Sequence, residues 1–142
     1  MNLKIKIFAL LFIIFVGWMI VLQSANYSYP KPEEIEQRMN YLQRVIHQPL
    51  KPGSEILNLG NESQEFMLFS YAYSAYAMTN LAIKDSGYKP QAIHLIKESI
   101  SKVLEYEIYA SYGIGDSIEQ MDSIPDYSVL YLGHLNLMMG CY

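Results

Sequence analysis

Hydrophobic and polar positions change rhythm five times along this chain, and each rhythm predicts its own element. From 7 to 22 there is no charge and hardly a polar atom, and the next charged residue is Lys31. Such a run predicts a helix without a wet face. From 33 to 48, Ile35, Met39, Leu42 and Ile46 recur at helical spacing with Glu36, Arg38 and Gln43 between them, which predicts an amphipathic helix. Pro32 suits its first turn, Glu33 and Glu34 suit its N-terminus, and Pro49 ends it. From 66 to 83 the residues are apolar or aromatic almost all round, the pattern of a helix enclosed by others. Asn61 with Gln64 three positions later has the form of a capping box at its start, and Asp85-Ser86-Gly87 that of a glycine cap at its end. A further amphipathic helix starts at Pro90, with Ile93, Ile96, Ile100, Val103 and Leu104 as its stripe and Lys97, Glu98, Ser101 and Lys102 facing water. The last rhythm, 127 to 142, is apolar to the final position.

Turn chemistry separates these runs. Residues 26–32 read as an extended linker closed by two prolines, and 50–60 as a loop around Pro52-Gly53 and Asn58. Residues 110–125 read as a long loop holding Gly113, Gly115, Asp116, Glu119 and Asp122. Those acids lack the Asp-x-Asp-x-Asp-Gly order of a calcium loop, and no metal or cofactor is expected. Phosphate-binding loops, dinucleotide-binding glycines, zinc-binding helices and serine elbows are missing as well. The expectation is an all-α fold in which the buried helix (66–83) and the amphipathic one (90–104) alternate as inner and outer helices of an α/α barrel.

Charge and composition refine this picture. Lys4 and Lys6 before the apolar run make residues 1–25 a signal peptide or, preferably, a signal-anchor helix, with 33–142 on the exported side. Export then means facing the periplasm or the outside from the inner membrane, or periplasmic release if the leader is cleaved. The formal charge of −4 becomes −6 without those two lysines, since no acid is lost with them. An acidic exported domain is a poor partner for nucleic acid. The single Cys141 cannot form an internal disulfide and reads as buried and inert. Among 13 tyrosines and 5 phenylalanines the one tryptophan, Trp18, lies in the leader, so the folded part is tyrosine-rich. Tyrosine walls suit pockets for small, mostly apolar ligands, and ordinary helix packing equally.

One titratable side chain stands inside an apolar helix. His134 lies in YSVLYLGHLNLMMGCY between Gly133 and Gly140, and the spacing gives Tyr131, His134 and Met138 one face. Two readings follow: an acid/base or hydrogen-bond donor in a site, or a core histidine bonded to a backbone carbonyl. Phe69, Tyr73 and Tyr76 share a face of the helix over 66–83 and either line a cavity or fill the core. The glycines of the last helix are expected to meet a neighbouring helix at short distance. His47 reads as a solvated helix end and His94 as exposed.

The stretch YLGHLNLM, 131 to 138, resembles the matching segment of the linalool dehydratase/isomerase family, and SYAYSAYAMTNLAIKD, 70 to 85, resembles the aromatic inner helix that precedes it there. The matching elements run from about 66 to 142. The resemblance implies an (α/α) toroid of which this chain supplies the N-terminal part, an exported lyase/isomerase that hydrates, dehydrates or isomerises small alcohols without a cofactor, and a catalytic role for His134. With it come Tyr131, Tyr73, Tyr76, Phe69 and Met138 as the candidate substrate-binding residues. The family's active-site tyrosine falls on Phe69, which leaves its hydroxyl missing or displaced to Tyr71 or Tyr73. The family's cysteines lie beyond Tyr142, and its upstream aspartate has no match. Two other functions stay open: a carbohydrate-modifying enzyme on the same toroid, and a membrane-tethered helical module docking on a partner chain. Expected partners are a small apolar alcohol or a sugar as substrate, the membrane through 7–22, and a missing C-terminal portion or a second copy.

Overall fold

The computed structural model describes residues 3–26, 30–113 and 128–142. Among the described residues every regular element is helical and no strand occurs. The order is α1 (Leu3–Asn26), α2 (Pro32–His47), α3 (Glu55–Glu62), α4 (Gln64–Lys84), α5 (Lys89–Val103), α6 (Tyr106–Tyr109) and α7 (Val129–Cys141), with 3-10 turns at Ser86–Tyr88 and Ala110–Tyr112. The chain forms two units, Met1–Gln37 and Arg38–Tyr142. Their boundary falls inside α2 rather than in the linker, because α2 runs without a break across it.

The first unit is dominated by α1. Its stretch Ile5–Ser24 has a mean hydropathy of 2.7 and is long and apolar enough to cross a membrane. At ~1.5 Å per residue, 20 such residues span roughly the thickness of the hydrocarbon layer. All side chains from 5 to 24 are exposed.

The second unit is built on α4. Met67, Leu68, Tyr71, Ala72, Ala75 and Met78 are buried at helical spacing. Helix α5 packs against α4, with Ala92, Leu95, Ile96, Ser99 and Val103 buried. Ala72 and Ala75 on one helix and Ala92 and Ser99 on the other are fully buried, so small side chains let the two axes approach. This is why the buried stripe of α5 is turned from the expected one: Ile93 and Ile100 are half-buried and Leu104 is exposed. Lys97 and Ser101 face water as expected, whereas Glu98 and Lys102 are largely covered and paired.

Three boundaries differ from the sequence reading. The turn at Pro52-Gly53 is present, with Gly53 in the left-handed region at φ +92, but the rest of the expected loop is α3, anchored by buried Ile56. Asn61 therefore lies in the last turn of α3 and opens nothing. Ser63, extended at φ −156, ends α3 and starts α4 in one residue. At this elbow a Cβ on Gly60 would stand 2.5 Å from Met67 Sδ, so glycine is what the close approach allows. At the far end of α4 the cap is Asp85, whose carboxylate accepts from the Gly87 N–H at 2.9 Å; Gly87 keeps an ordinary φ.

Helix α4 is also less enclosed than expected. Phe66, Tyr73 and Ile83 on its other face are exposed. Helix α7 packs on both α4 and α5 through Tyr131, Leu135 and Met138. Its glycines do not make that contact: Gly133 and Gly140 are exposed, with nothing described within 4 Å of a Cβ at either. The aromatic and thioether side chains carry the packing instead.

Two buried tyrosines make opposite predictions. The Tyr131 hydroxyl donates to the Val103 carbonyl at 2.9 Å, whereas the equally buried Tyr71 hydroxyl has no partner among the described residues. Tyr131→Phe is expected to destabilise by about 1–3 kcal/mol, because it leaves a buried carbonyl unsatisfied, and Tyr71→Phe to be neutral or stabilising. Denaturant unfolding of the two variants checks the contrast. Burial raises the phenol pKa of Tyr71 and of Tyr131 well above the ordinary value, and pushes Tyr112 up to about 12. Unfolded tyrosines lose their protons from about pH 10, while these folded ones hold theirs, so the folded state binds more protons there. The melting temperature should therefore fall from pH 10 to pH 12, and the fall should be shallower in Tyr131→Phe.

Candidate active site

Helix α7 is set in place at two points before it reaches His134. The Ser128 hydroxyl accepts from the Tyr131 N–H at 3.3 Å and starts the helix, and the buried Tyr131 fixes its rotation. His134 comes three residues later, about 60° round the helix from Tyr131, at the edge of the packed face. There it meets α4. The Tyr76 hydroxyl lies 2.9 Å from His134 Nδ1 and 3.4 Å from the His134 carbonyl oxygen.

Three rings of α4 surround the imidazole. Phe69 meets it edge-on with centroids 5.2 Å apart, Tyr73 edge-on at 6.1 Å, and Tyr76 lies nearly parallel to it at 6.1 Å. Phe69 and Tyr73 stack on each other at 5.3 Å. These three are spaced by four and three residues, so regular helix geometry alone puts them on one face. Phe69, Tyr76 and His134 are half-buried, and Tyr73 is 56% exposed.

Beside this cluster is an apolar depression of about 430 Å³ lined by Leu59, Phe66, Phe69, Ser70 and Tyr73. Phe69 and Tyr73 belong to both. Leu59 was hidden in the sequence because α3 reads as loop there, whereas Phe66 lies one turn before Phe69 at legible spacing. Ser70 carries no signal: its hydroxyl donates to the Phe66 carbonyl at 2.7 Å.

Of the candidate binding residues, the structure brings Phe69, Tyr73 and Tyr76 together around His134, and places Tyr131 and Met138 elsewhere. Both are fully buried, and the Tyr131 hydroxyl is committed to Val103. Phe69 occupies the position where the resemblance expects a tyrosine. The hydroxyl that reaches His134 comes instead from Tyr76, two turns further along; it is neither that of Tyr71, which lies in the core, nor that of Tyr73. Cys141 is half-exposed rather than buried, two turns after His134.

The other histidines are far simpler. His47, exposed as expected, bonds Glu98 through Nδ1 at 2.7 Å, and exposed His94 lies 3.9 Å from the same carboxylate. Among the described residues no group of three histidine, cysteine or acidic side chains could hold a metal ion. Asp116, Glu119 and Asp122 lie outside the described residues.

The pair His134–Tyr76 can hold a proton in two arrangements. Burial raises the Tyr76 pKa, with the charges of Cys141 and Tyr73 adding to it, so the phenol keeps its proton. It can donate that proton to a bare Nδ1. When Nδ1 is itself protonated, the phenol oxygen accepts from it and turns its own hydrogen to the carbonyl at 3.4 Å. In both arrangements the ring orientation is held while Nε2 is left for a reactant. No family model, no curated protein and no solved structure matches this chain.

The 2.9 Å distance is met in either tautomer, and the resting one expected here has the phenol as donor. With the phenol donating to Nδ1, the neutral imidazole carries its hydrogen on Nε2. Nitrogen-15 NMR of a histidine-labelled sample should show this tautomer for the neutral His134 ring, and Tyr76→Phe should let the other tautomer appear. A wild-type ring protonated on Nδ1 would contradict the assignment.

Proposed function

We propose that this chain carries the proton-transfer site of an exported lyase/isomerase acting on small, mostly apolar alcohols, in the manner of the linalool dehydratase/isomerase family. His134 is its acid–base group and Tyr76 its positioning partner. The observation that supports this reading best is the 2.9 Å hydrogen bond between the Tyr76 hydroxyl and His134 Nδ1, next to an apolar depression lined in part by Phe69 and Tyr73 of the same cluster. A histidine kept only for packing has no need of a wall of three aromatic rings that leaves its Nε2 available.

The chemistry closes on one residue. Protonated His134 gives its Nε2 proton to the alcohol oxygen, the carbon–oxygen bond breaks with its electrons on the leaving water, and a cation remains on the carbon. The neutral imidazole then takes a proton from the neighbouring carbon, whose C–H electrons form the double bond, and the charged ring is restored. Hydration is the reverse, and isomerisation returns water to a different carbon of an allylic cation. Phe69 and Tyr73 present ring faces that favour such a cation. The site belongs in this proposal to a larger α/α toroid, to which the described helices contribute one inner helix, α4, one outer helix, α5, and part of the next hairpin, α7. Helix α1 holds it at the membrane or directs its export.

A specific observation favours a second reading. Tyr73 is exposed and stacked on Phe69, a flat platform of the kind on which sugar rings rest, and a carbohydrate-modifying enzyme would use it.

His134→Gln separates chemistry from packing. Assayed with small allylic alcohols and with oligosaccharides on the protein as its gene encodes it, it should lower turnover by about 10²–10⁴-fold and move the melting temperature little. Tyr76→Phe should have a smaller effect and shift the pH profile. Turnover near the wild type together with a large drop in melting temperature would assign His134 to packing.

A further inference from the structure

A second cavity lies on the side of α4 turned to α2 and α3. It has a volume of about 460 Å³, within the ordinary range for small-molecule sites of about 300–1,000 Å³. Val45, Ile46 and Ile56 give it a buried apolar floor, and Leu42 and Leu59 its flanks.

Its hydroxyl groups share one property, and Asn58 beside them offers an amide that can donate as well as accept. Ser70 Oγ donates to the Phe66 carbonyl at 2.7 Å, and Ser74 Oγ donates to the Ser70 carbonyl at 2.6 Å. Tyr41 donates its hydroxyl hydrogen to Glu55 at 3.2 Å. A hydroxyl has a single hydrogen, so all three wall oxygens keep only acceptor capacity towards the cavity. An occupant must bring a donor to them, and its own oxygen can accept from the Asn58 amide. Glu55, the charged side chain on this wall, already holds Arg44 at 2.9 Å and accepts from Gln48 at 3.4 Å. An alkylammonium would therefore find no free counter-charge on the wall, and a carboxylate ligand would meet Glu55 and three hydroxyl acceptors with the Asn58 amide alone to set against them. An alkane would fit the floor but leave the serine lone pairs dry, which is unfavourable.

We propose that this cavity is a binding site for a small neutral alcohol, with its chain on Val45, Ile46 and Ile56 and its hydroxyl hydrogen directed to Ser70 and Ser74. The site does not depend on the chemistry assigned to His134. Leu59 and Ser70 also line the depression beside Phe69 and Tyr73, so the two hollows adjoin. An alcohol held here sits next to the aromatic cluster.

Methyl-resolved NMR of the full chain in lipid nanodiscs, titrated with 1-hexanol, hexane and hexylammonium, tests this. Partitioning of the probe into lipid does not imitate a saturable shift of named core methyls. The methyls of Leu42, Val45, Ile46, Ile56 and Leu59 should move saturably with 1-hexanol, and at least tenfold more weakly with the other two probes. The double variant Ser70→Ala, Ser74→Ala should weaken 1-hexanol about tenfold, the factor that corresponds to one modest hydrogen bond, and leave hexane unchanged. Shifts that never saturate, an equal response to hexane, or undiminished binding by the double variant would overturn the site. Should that variant lose the wild-type methyl pattern, the ranking of the three probes on the wild type decides alone. A result against this cavity leaves the His134→Gln experiment untouched, and the reverse holds too.

Discussion

The bond from the Tyr131 hydroxyl to the Val103 carbonyl is the point on which the placement of the last helix turns. The final carbonyls of a helix have no partners within it, and one buried without a partner is costly. Tyr131 supplies a donor to the end of α5 while its ring fills the space among α4, α5 and the Ala110–Tyr112 turn, where it meets Tyr112 at 5.4 Å. One residue thus fixes where α7 lies and how it is rotated. His134 follows from that rotation. A one-residue slip in α7 would turn its ring by about 100°, away from Tyr76.

Helix α4 then serves two purposes from two faces. Its side towards α5 is lined by small and apolar groups that pack closely, and its other side carries exposed Phe66 and Tyr73 beside half-buried Phe69 and Tyr76. Aromatic side chains on an uncovered face represent unused burial, since each would contribute about 1.5–3 kcal/mol if fully enclosed. That imbalance supports the proposal that further helices, or a ligand, complete the surroundings of His134.

The sequence shows some of this clearly and some not at all. The helical class, α1, the core role of residues 66–83 and the shared face of Phe69, Tyr73 and Tyr76 are legible, because periodicity depends only on local geometry. So was His134, as a polar interruption of an apolar run. The partner that holds it was not: Tyr76 lies 58 positions away, and no local pattern states that α7 crosses α4 at that turn. The shared face assigned to Tyr131, His134 and Met138 is correct to about a sixth of a turn on a helical wheel, yet that difference separates a core tyrosine from a site histidine. Helix α3 was missed because Pro52-Gly53 and Asn58 are read as loop chemistry, although only the Gly53 turn uses it. The packing of α5 through Ala92 and Ser99 beside Ile96, with Ile93 and Ile100 left at the edge, reflects a choice made by α4, which a single helix cannot reveal.

Three of the described helices are apolar nearly all round, and they do not have the same use. In α1 the uncharged run 7–22 follows Lys4 and Lys6, and the 20-residue stretch Ile5–Ser24 around it is long and apolar enough to cross a bilayer. In α4 the run is interrupted by hydroxyls that bond back to their own helix, as Ser70, Ser74 and Thr79 do, so the helix carries polar atoms without needing outside donors. In α7 two polar groups point at other helices: the Tyr131 hydroxyl reaches the end of α5, and His134 is met on α4 by a phenol. A membrane helix would leave such an imidazole in lipid at considerable cost. The apolarity of α7 is therefore that of a helix made to be covered by protein, and the hydrogen bond to Tyr76 is the local sign of it.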